Sequence, residues 1–87
     1  MLGKPMDGLA TLQSIIPKNP LDVRLYQLGS EAYRLQKDIT NMNLYGQASN
    51  LNNTNPQTQQ LAVEAIAAIY YEITGEDFDL SKYLGNQ

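Results

Sequence analysis

The residues that could carry chemistry are few, and their spacing decides against most of it. Asp77, Asp79 and Ser81 fall at the first, third and fifth positions of a calcium-binding loop, where alternate residues must turn oxygen ligands toward one ion. Lys82 then stands where a glycine must make the sharp turn, and the twelfth position, where a bidentate glutamate would close the shell, lies beyond Gln87. The two aspartates read instead as helix caps. Ser14, Ser30, Ser49 and Ser81 are candidate nucleophiles, but a serine needs an adjacent base and the sequence has no histidine to supply one. It also has no cysteine, which removes thiolate catalysis, disulfides and thiolate metal sites. No G-x-S-x-G, phosphate-binding loop or dinucleotide fingerprint occurs. The expectation is a protein without catalytic residues, cofactor or bound metal.

What remains is surface chemistry. Six tyrosines stand against one phenylalanine, and an aromatic with a polar tip suits a surface that is alternately wet and buried. Tyr26 and Tyr33 are seven apart and form a stripe of their own, while Tyr71 falls on the polar side of its helix. Charge is uneven as well. Residues 1–45 hold five Lys or Arg and four Asp or Glu, whereas residues 46–87 hold only Lys82 against Glu64, Glu72, Glu76, Asp77 and Asp79. The net charge of −3, with six basic residues in all, argues against nucleic acid, whose phosphates need clustered cations. The acidic cluster reads first as a solvated face and second as a docking surface for a basic partner. Tyr26, Tyr33, Tyr71, Glu72, Glu76, Asp77 and Asp79 together make up the expected partner surface.

The elements that would position these groups are helices. At 87 residues, 43% hydrophobic and 17% charged, the chain is suited to one compact domain covering 1–87. Leu9, Leu12, Ile15 and Ile16 share a face and predict a first helix over 7–16, capped by Asp7 and stopped by Pro17. Asn19 followed by Pro20 reads as the start of a second helix running over 20–45. Within it Leu21, Leu25, Leu28, Ala32, Leu35, Ile39 and Met42 alternate steps of four and three, a heptad seam about 31 Å long at 1.5 Å per residue. Gly29 inside this helix is either tolerated, the preferred reading, or required by close approach of another backbone. Gly46 to Asn55 is rich in turn formers and reads as the main loop, pinned by Leu51. Asn55-Pro56 opens a third helix over 56–74 that ends at Gly75, burying Ala62, Val63, Ile66, Ile69, Tyr70 and Ile73. A short fourth helix over 78–84 would close the core with Phe78, Leu80, Tyr83 and Leu84. The predicted fold is therefore all-α, a small bundle of three main helices plus a short C-terminal one.

Two functions follow as expectations. The first is a non-enzymatic assembly or accessory subunit that forms homo-oligomers through the seam Leu21, Leu25, Leu28, Ala32, Leu35, Ile39 and Met42. In that reading Leu28 is buried, and a charge there unfolds or dissociates the chain. The second is a small acidic inhibitor or immunity-type protein that blocks one macromolecular partner. In size and helical format the chain is similar to phage accessory proteins and small bacterial immunity-type bundles, a likeness that no motif carries. Its longest apolar run, Leu61 to Tyr71, is short and broken by Glu64, so no membrane span is expected. Residues 1–5 lack the apolar stretch of an export signal, and the expected setting is the cytoplasm or an intracellularly assembled particle.

Overall fold

The computed structural model describes residues 5–84, with side chains from 8 to 82. Among the described residues there are five α-helices and no strand: α1 (Pro5–Ile15), α2 (Val23–Leu35), α3 (Ile39–Ala48), α4 (Pro56–Thr74) and α5 (Leu80–Leu84). The all-α expectation holds, but the second predicted helix is two.

α1 buries Leu9 and Leu12, and Ile16 just past its end, at the i, i+3 and i+7 spacing of one helical face. The helix begins at Pro5, so Asp7, its expected cap, falls inside the first turn instead of before it; the side chains of Tyr83 and Leu84, and Gly85 itself, lie outside the described residues. Pro17 does not stop the helix outright. The chain tightens into a 3-10 turn, Ile16–Lys18, which closes when the Asn19 N–H donates to the carbonyls of Ile15 and Ile16, both at 3.1 Å.

α2 begins at Val23, not at Pro20, because Asp22 and not Asn19 is its cap: the Asp22 carboxylate accepts from the Arg24 N–H at 3.1 Å. Pro20 is fully buried in the preceding turn, and its carbonyl accepts from the buried Tyr26 hydroxyl at 2.5 Å. A helix starting at Pro20 would have used that carbonyl for its own ladder.

The break between α2 and α3 corrects the continuous helix over 20–45. The Asp38 N–H donates to the Tyr33 carbonyl at 2.9 Å and the Lys37 N–H to the Arg34 carbonyl at 3.0 Å. This pair of bonds is the Schellman ending, with Lys37 at φ 62 in the left-handed position that glycine usually fills. Asp38 then caps α3 by accepting from the Asn41 N–H at 3.2 Å and the Asn41 side-chain amide at 2.8 Å. An uninterrupted hydrophobic rhythm therefore runs straight through a helix terminus.

α2 and α3 fold back as an antiparallel pair. Ser30 Oγ donates to the Met42 carbonyl at 2.9 Å, and Gly29 meets Tyr45. A Cβ placed on Gly29 would stand 2.4 Å from Tyr45 Cδ2 and 2.8 Å from Cε2. The glycine is thus required by close approach of a buried ring, not merely tolerated. α3 runs through Gly46 to Ala48, shortening the predicted loop to residues 49–55, where Gln59 Nε2 donates to the Leu51 carbonyl at 3.0 Å. Leu51 packs against the core as expected. α4 matches its prediction at both ends. Asn55 Oδ1 accepts from the N–H groups of Gln57 and Thr58 at 2.9 and 3.3 Å, and Gly75 ends the helix at φ 75.

The core gathers Ile16, Tyr26, Tyr45, Ala48, Ala65, Ile66 and Ile69, with α3 packed between α2 and α4 and α1 laid on α2. Helix propensity alone says that Gly29→Ala stabilises by about 1 kcal/mol. Overpacking against Tyr45 reverses the sign: urea denaturation should show a loss of about 1–3 kcal/mol, and a gain would refute the packing described.

Candidate interaction surfaces

The seam is not one buried stripe. Leu28 is 59% exposed, Leu35 60% and Ile39 56%, while Leu21, Leu25, Ala32 and Met42 are half-buried. The residues of α2 that face inward are Tyr26, Gly29 and Tyr33, at i, i+3 and i+7. At 100° per residue, Leu28 and Leu35 come out on the opposite side. A charge at Leu28 therefore enters water rather than the core, which corrects the expectation that it unfolds the chain. Leu25, on the flank of the inward face, does pack against the core.

The tyrosines divide in the same way. Tyr26 has no exposure, and its ring lies 6.2 Å from that of Tyr45; the half-buried Tyr33 ring lies 5.1 Å from Tyr45 on its other side. Both were expected on a partner surface: Tyr26 is instead a core aromatic, while Tyr33 packs on the core in tilted stacking and keeps part of its surface in water. Tyr71, by contrast, is 58% exposed, and Glu72, Glu76, Asp77 and Asp79 are all exposed in sequence behind it. Within the calcium-like trio, Asp79 Oδ1 accepts from Ser81 Oγ at 2.6 Å and from the Ser81 N–H at 3.1 Å. The hydroxyl bond above all holds its carboxyl below the usual range. That geometry is a turn cap at the start of α5. Among the described residues no three His, Cys, Asp or Glu side chains come together as a metal site.

Two concavities overlap the predicted surfaces only in part, the first through Leu21 and the second through Tyr33 and Glu72. A cleft of about 450 Å³ opens beside the loop before α4, with half-buried Leu21, Leu51, Val63 and Leu80 below and the carboxamides of Gln59 and Gln60 at its rim. No charged side chain lines it. A second cleft, about 280 Å³, lies where α1, α2, α3 and α4 meet and is lined by Gln13, Tyr33, Asn41, Tyr45 and Glu72 over Leu44, Ala68 and Ile69. Gln13 Nε2 donates to the Tyr33 hydroxyl at 3.4 Å, and both side chains interact with the Tyr45 hydroxyl. No sequence pattern marks this group, because its members come from four helices and share no periodicity.

No family model, curated protein or solved structure matches the chain. No helix among the described residues is long and apolar enough to cross a membrane.

The buried phenols make stability depend on alkaline pH. Burial pushes the Tyr26 hydroxyl far above the tyrosine range, and burial first, then Tyr33, pushes Tyr45 up to about 12. Unfolded tyrosines ionise at about pH 10. Above that pH the unfolded chain loses protons that the folded chain keeps, so stability must fall as pH rises toward 12. Thermal melts should show Tm declining across this window, with a shallower slope in Tyr45→Phe; equal slopes in the two proteins would contradict the burial of Tyr45.

Proposed function

We propose that the protein is a non-enzymatic interaction subunit that self-associates through the outward face of α2 and the adjoining start of α3. The observation that carries this reading is the exposure of Leu28 and Leu35, 59% and 60%, on the side of α2 turned away from its own core, with Ile39 uncovered at the next helix start. Fully hiding a leucine from water is worth about 1.5–3 kcal/mol. A two-fold contact uses the same patch on both copies and so counts each side chain twice. Arg24 paired with Asp22 at 3.0 Å, and Arg34 paired with Glu31, sit among these leucines on the same stretch of chain. They supply the polar rim that surrounds an apolar interface centre. In this arrangement Leu28, Leu35 and Ile39 act as the anchors, and the half-buried Leu21, Leu25, Ala32 and Met42 support them from within the monomer.

A second reading, a small acidic inhibitor that blocks one basic partner, is favoured by the run of exposed Glu72, Glu76, Asp77 and Asp79 beside exposed Tyr71. Its signature is binding that weakens steeply with salt, since exposed charges are screened within about 10 Å at 0.1 M ionic strength. Self-association through leucines lacks that dependence.

The two are separated by light scattering and by substitution. Wild type should sediment and scatter as a dimer or larger species at tens of micromolar, insensitive to added salt. Leu28→Glu combined with Leu35→Glu should return a monomer with unchanged helicity by circular dichroism. A wild-type monomer at that concentration removes the self-association reading.

A further inference from the structure

The cleft at the meeting of α1, α2, α3 and α4 sets an exposed carboxylate, Glu72, beside aromatic and apolar side chains. Two of its carboxamides are engaged inside the protein. Asn41 Nδ2 donates to Asp38 Oδ2 at 2.8 Å, an orientation fixed because a carboxylate can only accept. Gln13 Nε2 is directed to the Tyr33 hydroxyl at 3.4 Å. The Glu72 carboxylate adds two acceptor oxygens to the lining. Glu72 is exposed, and neither ion pair found among the described residues involves it. No Lys or Arg lines the cleft. Its apolar lining, Leu44, Ala68 and Ile69 with the Tyr33 and Tyr45 rings 5.1 Å apart, suits a short aliphatic stem ending in a flat polar head.

From this geometry we infer that the cleft binds one alkylguanidinium group, seated with its planar head between the Glu72 carboxylate and the half-buried Tyr33 ring. A guanidinium has five donors, no acceptor and two faces that stack on aromatics, which matches a carboxylate beside a part-exposed phenol ring. An ammonium supplies charge without the stacking plane. The volume of about 280 Å³ takes a side-chain-sized group rather than a whole peptide segment. The negative potential of Glu72 at this point is registered by Tyr45, whose hydroxyl it helps to push upward. The site stands apart from the self-association face, because Tyr33 lies on the inward side of α2 and Leu28 and Leu35 on the outward side. It holds whether or not the chain forms dimers. The guanidinium could belong to an arginine of another polypeptide or to a free small molecule, and the two sources are separable by experiment.

The test is a nuclear magnetic resonance titration of the side-chain amides of Gln13 and Asn41, at matched ionic strength, with butylguanidinium, with the peptide acetyl-Gly-Arg-Gly-amide, and with butylammonium. Saturable shifts confined to the cleft are expected with at least one of the two guanidinium probes, with a dissociation constant on the order of 1 mM. Tighter binding of the peptide identifies a polypeptide arginine as the source, and tighter binding of butylguanidinium a free molecule. Glu72→Gln, a change at an exposed position that leaves the core untouched, should weaken the interaction about threefold to fivefold. Absence of saturable shifts with both guanidinium probes overturns the site. An unchanged affinity in Glu72→Gln overturns the role of the carboxylate, and equal binding of butylammonium overturns the assignment to guanidinium.

Discussion

The contact on which the structure turns is the ring of Tyr45 lying against the bare backbone of Gly29. With no Cβ between them, the ring comes within a distance that any other residue would forbid, and α2 and α3 close into a tight antiparallel pair. That pairing sets the rest. It places Tyr26 and Tyr33 on either side of the same ring, turns the Tyr26 hydroxyl onto the Pro20 carbonyl, and lays α3 against α4 so that Ala48, Ala65, Ile66 and Ile69 complete the core. The cost of a glycine inside a helix, about 1 kcal/mol, is offset by burying two large aromatics that no alanine at this position would admit.

The sequence displays its helices more plainly than it displays which way they face. Caps with a local mechanism were legible: Asn55 before Pro56 and Gly75 after Thr74 mark α4 at both ends, because an N-cap carboxamide and a left-handed glycine act within a few residues of themselves. The inward face of α4 was legible too, since Ala62, Ile66 and Ile69 differ sharply from Gln60 and Glu64. α2 misleads for a physical reason. It carries two stripes, one of leucines and one of Tyr26, Gly29 and Tyr33, and periodicity weighted by hydrophobicity chooses the leucines. The tyrosine stripe wins because the Tyr45 ring fills volume that Gly29 opens, a complementarity between α2 and α3 that no single-helix pattern contains. The break at Gln36 to Asp38 was hidden in the same way. A lysine occupies the left-handed position where a glycine would have signalled the stop, and the seven-residue rhythm crosses it without a gap.

The candidate surfaces follow this division between local and tertiary information. The acidic run from Glu72 to Asp79 and the exposed Tyr71 were readable because a short charged segment after a helix end has few ways to be buried. The polar cleft was not. Tyr33 and Glu72 were marked as surface candidates, but their shared geometry with Gln13 and Asn41 arises only when four helices meet. Apolar exposure on α2 lies between these cases, since the leucines were visible as a stripe but their outward direction depends on Gly29.

The gathering of Tyr26, Tyr33 and Tyr45 in a chain without tryptophan has a spectroscopic consequence. Near-ultraviolet optical activity needs aromatic chromophores held rigidly and close enough to couple, and three of the six phenols in this chain meet that condition at a single joint. The native signal in that band is therefore weighted toward the α2 and α3 junction, giving the protein an intrinsic reporter of whether these two helices remain closed, with no label attached.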